Sequence, residues 1–327
     1  MPELPPKLPI IDLSSPDPSS AATSTRQLFS LPLEDKMKLA RKLHRGYTPL
    51  FAESLDPHLS SKGDPKESFY IGPLEDDSAS SMLNQWPPQE VLPLWRPTME
   101  TYYRKVLCAG KRFLHLIALA LNLDENFFEK VGALDKPTPF LRLLHYPGEL
   151  GSPDEEICGA SAHSDYGMIT LLATDGVPGL QICREKFKQP RVWEDVPHLH
   201  GAFVVNIGDM MERWTNCLFR STLHRVIPTG QHRYSAAFFL DPHADCVVEC
   251  LESCCSESSP PSLGACLVGG KSGRTEKAHN TSNSKVEAHN SPVCLAILKC
   301  IAIFPPIRSG DYLKERLKLT YALDSGL

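Results

Sequence analysis

The sequence predicts a mainly β protein in which helices flank an antiparallel β core. From residue 140 onward, short apolar runs follow one another with Gly, Pro and Asp between them, which is typical of an all-β sandwich or barrel. Before that point, one long segment carries apolar residues three and four apart, as an amphipathic helix requires. The N-terminal part should therefore support the β core from outside.

The individual elements follow from periodicity and from turn residues. Helices are predicted at residues 28–45, 96–121, 124–131 and 311–319. Strands are predicted at residues 9–14, 68–71, 140–146, 169–173, 180–183, 203–207, 223–227 and 234–240.

These elements divide the chain into four parts. Residues 1–135 should form an N-terminal helical and loop support, and residues 136–245 should form the β core. Residues 256–303 are dominated by a stretch rich in Ser, Gly, Lys, Asn and His without periodicity, so we predict a disordered insertion there. Residues 304–327 should end with a C-terminal amphipathic helix.

Composition and charge exclude several classes of function. The 327 residues are 42% hydrophobic and 22% charged, which allows a sizeable core. The net charge of -5 arises without a basic block, so we expect no nucleic-acid partner. No apolar run approaches the ~20 residues of a membrane span, and the N-terminus lacks a signal-peptide pattern. We therefore expect a cytoplasmic monomer with no membrane partner.

The 11 cysteines are an odd number without paired CxxC motifs, which indicates reduced thiols. A structural zinc is the alternative for the group Cys246, Cys250, Cys254 and Cys255. Its spacing lacks a second paired knuckle, so we favour free thiols there.

Three residues combine as a candidate metal site. His163 and Asp165 lie two apart in a His-Ser-Asp triplet, and an extended segment directs both side chains to one side. His224, in a later predicted strand, supplies a second imidazole. Two imidazoles and one carboxylate on one face of an octahedron suit Fe(II), because three positions stay open for co-substrate and oxygen. We take these three residues as candidate metal ligands and catalytic centre.

A second triplet of the same kind, His243-Ala-Asp245, competes with the first. It lies in a proline-containing turn after the last strong strand. The only histidines further along, His279 and His289, fall in the segment predicted to be disordered. The first triplet is followed by core strands and has a partner in one of them, so we favour it.

Arg233 and Ser235 lie two apart at the start of an apolar strand and so share one face. A guanidinium beside a hydroxyl is a good clamp for a carboxylate, since Arg binds an acid in a bidentate manner. The alternative is an Arg at a strand edge that pairs with a surface acid. The neighbouring metal site favours the clamp.

Together the motifs resemble the 2-oxoglutarate and Fe(II)-dependent dioxygenases of the isopenicillin N synthase-like superfamily, especially its plant-type soluble members. The match covers most of the chain and runs in order through these motifs: Leu8-Pro-Ile-Ile-Asp-Leu, Gly46-Tyr-Thr-Pro, Asp64-Pro-Lys-Glu-Ser-Phe, Asn84-Gln-Trp-Pro, Leu141-Arg-Leu-Leu-His-Tyr-Pro, Ala162-His-Ser-Asp-Tyr-Gly, Val205-Asn-Ile-Gly-Asp, His224-Arg-Val, Arg233-Tyr-Ser and Gly310-Asp-Tyr-Leu.

The resemblance implies a double-stranded β-helix, or jelly-roll, core with Fe(II) on the three candidate ligands. It also implies 2-oxoglutarate as co-substrate, with its distal carboxylate on Arg233 and Ser235, dioxygen as oxidant and ascorbate as reductant. Tyr146 matches a co-substrate tyrosine, although Leu144 replaces the Asn usual in that segment. Phe69 and Tyr70 fall where relatives place substrate-facing aromatics, and core packing is their alternative.

The implied function is hydroxylation or desaturation of a small organic substrate, with release of succinate and CO2. Two alternatives stay open: an Fe(II) oxidase of the same superfamily that needs no keto acid, and an inactive splice or gene-model variant. The hypothesis of an inactive variant rests on two departures from the family. A helix-strand unit is missing between Gln27 and Leu28, which should expose apolar surface, and residues 256–303 are inserted.

A smaller departure occurs at Asn216-Cys217, where relatives commonly have Asn-Gly. If this position needs a positive φ, Cys is less comfortable there than Gly. We expect only a modest local effect.

Overall fold

The computed structural model describes residues 19–55, 63–74, 83–135, 137–148, 158–255 and 306–320. Within these ranges the α-helices are α1 Ser19–Phe29, α2 Leu33–Lys38, α3 Trp95–Ala120, α4 Phe127–Lys130, α5 Asp209–Trp214 and α6 Ser309–Thr320. The strands are β1 Gly46–Thr48, β2 Glu67–Ile71, β3 Thr138–Tyr146, β4 Ala160–His163, β5 Ile169–Thr174, β6 Leu180–Cys183, β7 Glu194–Asp195, β8 Val204–Ile207, β9 Leu223–Val226, β10 Arg233–Asp241, β11 Val247–Val248 and β12 Ile307–Arg308.

Two antiparallel sheets form the centre of the molecule. The larger sheet has the order β1-β2-β3-β10-β5-β8, and the smaller has the order β4-β9-β6-β7. A separate two-stranded ladder joins β11 to β12. Side chains from both central sheets line one common interior, so the sheets pack face to face as in the jelly roll that the resemblance implies.

The strand β10 shows how the two faces of the larger sheet differ. Ala236, Phe238 and Leu240 belong to the main hydrophobic core, which contains the helices. Arg233 and Ser235, with odd numbers, line the interior between the sheets. Because side chains alternate along a pleated strand, β10 directs these three apolar side chains to the helices and the polar Arg233 and Ser235 to the interior.

The long helix α3 closes the outer face of the larger sheet. Pro97 lies in its first turn, where the missing N–H removes no hydrogen bond. Gly110 allows a close approach to the sheet, because a Cβ there would lie 3.0 Å from Leu240 Cδ2. Asn122, with a φ of 56°, then turns the chain away from the helix.

Most predicted elements are present, with differences that have physical causes. The helical region predicted at 28–45 holds only the end of α1 and the short helix α2, because Pro32 lacks the N–H that would continue α1 and instead precedes α2. Leu43 and His44 adopt positive φ values of 46° and 61°, which end any helical path. Most of α1 and the short elements β1, β4, β7, β11, β12 and α5 were not predicted. The strand predicted at 9–14 and the whole insertion predicted at 256–303 lie outside the described residues.

The N-terminal support is more than a set of helices and loops. Its strands β1 and β2 extend the larger sheet, since β2 pairs with β3. Large exposed apolar side chains, Leu33, Met37 and Leu43, follow the junction where we expect a missing unit. The missing unit and the four-part division remain predictions. Within the part of the chain that the structure describes, no helix is long and apolar enough to cross a bilayer.

Candidate active site

The structure brings His163, Asp165 and His224 together in the interior between the sheets. Their ligand atoms all lie within 4.8 Å of one another. His163 Nε2 and His224 Nε2 each lie 3.8 Å from Asp165 Oδ1. His163 ends β4 and faces His224 across the β4–β9 ladder. Asp165 lies two residues beyond the end of β4, so its position depends on the following loop and not on the strand as predicted.

Each candidate histidine is oriented by its own strand segment. His163 Nδ1 donates to the carbonyl oxygen of Ser161 at 2.7 Å, and His224 Nδ1 donates to that of Thr222 at 3.0 Å. Only a protonated Nδ1 can donate, so these bonds favour the tautomer with a free lone pair on Nε2. Both Nε2 atoms therefore face the centre as metal-binding lone pairs.

The two carboxylate oxygens of Asp165 have different surroundings. Its Oδ2 accepts hydrogen bonds from Thr170 Oγ1 at 2.6 Å and from Asn206 Nδ2 at 2.8 Å. Its Oδ1 is left facing the two imidazoles. Sequence reasoning missed Thr170 and Asn206, although Asn206 lies in one of the family-like motifs. Such supporting partners orient ligands and sharpen metal affinity.

The protonation states of the site suit a cation. Burial and, after it, the nearby His224 lower the pKa of His163 to about 3, although Asp165 opposes the shift. Burial would raise the pKa of Asp165, but His224, His163 and its two hydrogen-bond donors lower it below its ordinary value. At neutral pH the site therefore holds a neutral His163 and an ionised Asp165, the forms that bind a metal.

The competing clusters do not assemble in the described part of the chain, where the three ligands form the one metal-sized group of His, Cys and acidic residues. His243 and Asp245 have side chains that are 36% and 78% exposed, and no second histidine joins them. Cys250 Sγ and Cys255 Sγ lie 3.2 Å apart, but Cys246 Sγ points to the carbonyl of Val131 instead.

A first cavity of about 70 Å³ lies between the sheets and contains the three candidate ligands together with Arg233, Ser235, Leu144 and Tyr146. Arg233 is 3% exposed. Its Nη1 lies 3.4 Å from Ser235 Oγ, its guanidinium stacks on the ring of Tyr146 at 5.3 Å, and its buried Nε has no hydrogen-bond partner. Burial lowers the pKa of Arg233, while Tyr146 and Asp175 raise it.

A second cavity of about 140 Å³ begins on the other side of His163 and Asp165 and is lined by Tyr70, Asp241 and residues of α6. Asp241 is buried, and its burial together with the charge of Asp165 raises its pKa to about 7. Sequence reasoning missed Asp241, although it lies on the same face of β10 as Arg233 and Ser235.

The two aromatic candidates have different environments. Tyr70 lines the second cavity. Phe69 is fully buried in the main core, edge-on to Trp95 with ring centroids 5.6 Å apart, and lines neither cavity. Neighbouring residues of a strand point to opposite faces, so one strand cannot present both rings to a substrate. Core packing is therefore the role of Phe69.

Two family models match the chain. The 2OG-Fe(II) oxygenase superfamily matches residues 137–242, and the N-terminal region of a non-haem dioxygenase in morphine synthesis matches residues 17–89. Kihadalactone A synthase LFS of Citrus sinensis is 41% identical over 252 residues, which cover 75% of this chain and 75% of that protein. The chain belongs to the 2OG-Fe(II) oxygenase superfamily. It is therefore an enzyme, a 2-oxoglutarate-dependent dioxygenase.

Relatives from other kingdoms and solved structures agree. A 2-oxoglutarate-Fe(II) type oxidoreductase, hxnY of Emericella nidulans, is 36% identical and covers 73% of this oxygenase and 70% of its own length. The solved structure of a full-length Neurospora crassa protein in complex with alpha-KG and 5-formyluracil superposes with a TM-score of 0.68 at 26% identity, over 93% of this chain and 83% of that chain. The jelly-roll core of this oxygenase is thereby confirmed.

The residues of this oxygenase fit the two groups that the family uses. Two imidazole nitrogens and one carboxylate oxygen are a donor set for Fe(II) that leaves open positions. The unpartnered, buried Nε of Arg233 marks the place for an anionic acceptor such as a carboxylate.

Proposed function

We propose that this enzyme binds Fe(II) through His163, Asp165 and His224 and uses 2-oxoglutarate and dioxygen to hydroxylate or desaturate a small organic substrate. The geometry of the three ligand atoms supports the proposal above all, since one carboxylate oxygen and two Nε2 lone pairs converge on one point. Iron and 2-oxoglutarate would supply the oxidising power when bound: oxidative decarboxylation to succinate and CO2 takes up one atom of O2, and the other atom enters the substrate in a hydroxylation or leaves as water with two substrate hydrogens in a desaturation.

The first cavity is the proposed site of 2-oxoglutarate. Arg233 and Ser235 bind its distal carboxylate, and Tyr146 holds the guanidinium in place by stacking on it. The rest of the lining is largely apolar, including Leu144, Leu180, Ile182 and Val226. This lining excludes water, which strengthens the charge-assisted hydrogen bonds to the co-substrate.

The second cavity is the proposed site of the organic substrate. His163 and Asp165 border both cavities, so the two ligands approach the metal centre from different sides. The protein positions a substrate carbon at this border and keeps the carboxylate of Asp165 oriented through Thr170 and Asn206. Tyr70 is the aromatic that we propose as a substrate contact.

An anaerobic titration tests the proposed metal and co-substrate sites. Adding Fe(II) and then 2-oxoglutarate should produce the weak visible absorption band of the iron and keto-acid chelate, and His163→Ala should abolish it. Absence of the band in the unaltered protein would contradict the proposal. Absence of the band together with substrate turnover that ignores 2-oxoglutarate would indicate the keto-acid-independent oxidase, and absence of both would favour the inactive variant.

The clamp has its own test. Arg233→Ala should raise the KM for 2-oxoglutarate by roughly 10- to 100-fold, because a charge-assisted bidentate pair is lost in a buried site. Ser235→Ala, which keeps the guanidinium, should cost much less. Both are measured by succinate release over a range of 2-oxoglutarate concentrations. An unchanged KM in Arg233→Ala would remove Arg233 from the co-substrate site.

We further propose that the enzyme works in the cytosol as a monomer and that ascorbate keeps its iron reduced. The cytosolic assignment is supported by the cysteines of the described residues, all of which are free thiols. Turnover with and without ascorbate tests the reductant, and the sedimentation velocity of the metal-loaded protein tests the monomer.

A further inference from the structure

Alternate residues along β10 line first the first cavity and then the second. Arg233, Ser235 and Ala237 line the first cavity, Phe239 lines both, and Asp241 lines the second. Alternate residues of a strand share a face, so these five positions form one row. The row begins with a cation and ends with an acid, roughly 26 Å apart at the usual rise per residue.

Asp241 is a buried acid without a protein partner. It is 7% exposed, and its carboxyl forms no hydrogen bond or ion pair with any residue that the structure describes. The chain makes room for its carboxylate, since a Cβ on Gly167 would collide with Asp241 Oδ1. A buried carboxyl that lacks a partner is unfavourable, so a ligand in the second cavity is its natural source of a hydrogen bond.

The other charged groups of the second cavity are already paired. Glu53 Oε2 lies 3.0 Å from Lys66 Nζ and also binds the guanidinium of Arg142. Burial lowers the pKa of His44, with Arg41 and Arg45 contributing, so His44 adds no cation at neutral pH. Asp165 belongs to the proposed metal site. Asp241 thus gives the far end of the cavity an acidic character without a free cation to attract an anion.

Apolar side chains form much of the remaining wall. Phe140 and Phe239 come from the sheet, and Leu313 and Leu317, one helical turn apart, come from α6. Such a cavity, apolar with one convergent polar group, orients a small ligand through that group.

We propose that Asp241 selects the organic substrate, a mainly apolar small molecule whose hydroxyl or amino group donates a hydrogen bond to this carboxyl. The reacting carbon then faces His163 and Asp165, and molecules that carry a carboxylate at the same place are rejected. This inference rests on the proposed function, in which the first cavity is occupied by 2-oxoglutarate. Asp241 is a specificity residue and takes no part in the oxidation itself.

The test uses full-length protein loaded with Zn(II) and 2-oxoglutarate, which fills the metal site and the first cavity without turnover. Benzyl alcohol, benzylamine and benzoate then serve as three probes of matched size, and their Kd values are measured by saturation-transfer NMR titration. At about pH 8.5, where a carboxyl with a pKa of about 7 is ionised, the alcohol and the amine should bind at least about tenfold more tightly than benzoate, the worth of one hydrogen bond to a charged group.

Two variants complete the test. Asp241→Asn keeps the shape and should weaken benzylamine by about tenfold but benzyl alcohol by less, since an amide oxygen still accepts a hydrogen bond. Asp245→Asn removes an acid whose side chain is 78% exposed, four residues along the chain, and should change neither Kd. Binding of 2-oxoglutarate to each variant reports that the first cavity is intact.

Three outcomes would overturn the assignment of Asp241: equal binding of the three probes, binding of none, or equal loss in the two variants. If Zn(II) and 2-oxoglutarate bind normally in these cases, the proposed function stands and only the substrate class fails. If the unaltered protein binds neither Zn(II) nor 2-oxoglutarate, the proposed function fails and this inference fails with it.

Discussion

Cys217 closes the C-terminal end of α5 in a conformation that suits glycine. Its φ is 64°, and the preceding Asn216 has a φ of 49°. The amide of Cys217 donates to the carbonyl of Glu212 at 2.9 Å, which is the backbone bond that terminates the helix. The positive φ anticipated for this position is thus present. In this left-handed region the Cβ of Cys217 lies too close to the backbone carbonyl, which strains the conformation.

Replacing Cys217 by Gly should therefore stabilise the protein by about 1 kcal/mol, because the strain is larger than the entropy that a glycine adds to the unfolded chain. Urea unfolding at equilibrium measures the change in the free energy of unfolding. Cys217→Ala is the matched control, since it removes the thiol but keeps the Cβ, and it should bring no gain. Equal stability of the Gly and Ala variants would show that strain is absent.

At the scale of residues, the spacing of residues in the sequence correctly predicted which side chains of one strand share a face. Arg233 and Ser235, two apart, do share a face and lie in contact. The candidates Phe69 and Tyr70 rest on the family resemblance and not on spacing. The same alternation separates them, since adjacent residues of a strand point to opposite faces. Thr170 and Asn206 could not be predicted, because nothing in the sequence shows which hydroxyl or amide will meet Asp165 after folding.

A buried ionic cluster joins four elements of the N-terminal support and the sheet. Glu67 on β2 receives hydrogen bonds from Lys36 of α2 at 2.8 Å, from His145 of β3 at 2.7 Å and from Tyr47 of β1. Burial alone would raise the pKa of Glu67, but these three donors hold it below its ordinary value of 4.5. The ionised carboxylate is therefore what the folded state favours.

The sign of the resulting pH dependence follows from the lowered pKa. The stabilisation by ionised Glu67 is complete above pH 4.5 and disappears as the pH falls through the lower folded-state pKa. Glu67→Gln should cost about 3 kcal/mol at pH 7, since Lys36 loses a buried partner. The difference between the variant and the unaltered protein should shrink below pH 4.5.

Urea unfolding between pH 7 and pH 3.5 measures this convergence. Glu34→Gln is the control, because that acid has a side chain 87% exposed and lies near Lys38 on the same helix as Lys36. The control should behave like the unaltered protein throughout. A difference for Glu67→Gln that stays constant down to pH 3.5 would contradict the lowered pKa.

The prediction of helix bounds was most exact for the longest helix, and the shortest elements were missed. The 26-residue helix α3 was predicted within one residue at each end, since its apolar stripe runs over many turns. The six-residue helix α5 has too few turns to show a stripe. Likewise β7, β11 and β12 have two residues each, too few for an alternation to be visible.

The helix α6 is held on the core by contacts that lie far apart in the sequence. Tyr312 Oη donates to Asp209 Oδ2 at 2.7 Å, and the guanidinium of Arg316 lies over the ring of Tyr166 at 4.7 Å. These contacts place Leu313 and Leu317 on the wall of the second cavity. The existence of this helix was predictable from sequence, but its docking site was not.

At the scale of the whole molecule, the proposed metal links separate parts of the chain. His163 and His224 belong to the smaller sheet, while Asp165 lies in the loop that leads to β5 of the larger sheet. A cation shared by these three residues therefore ties the two sheets together. A ligand that binds the folded chain but not the unfolded chain stabilises the folded state by mass action.

A redox-inactive metal should consequently raise the stability of the entire fold. Mn(II) at 100 times its Kd should add about 2.7 kcal/mol and raise the Tm by a few degrees. Thermal unfolding with and without Mn(II), followed by addition of EDTA, measures the rise and its reversal. His224→Ala should show no rise, whereas His243→Ala, which removes a half-buried histidine outside the proposed site, should respond normally. A rise of equal size in His224→Ala would exclude the proposed site.

The two imidazoles take their orientation from carbonyl oxygens of the main chain, at Ser161 and Thr222. Every amino acid carries such an oxygen, so no substitution at these two positions can delete the acceptor. The side chains that shape the second cavity have no such protection and are free to change one at a time. In a lineage of such proteins, the choice of molecule to be oxidised can thus drift through mutation while the histidine tautomers are inherited unchanged.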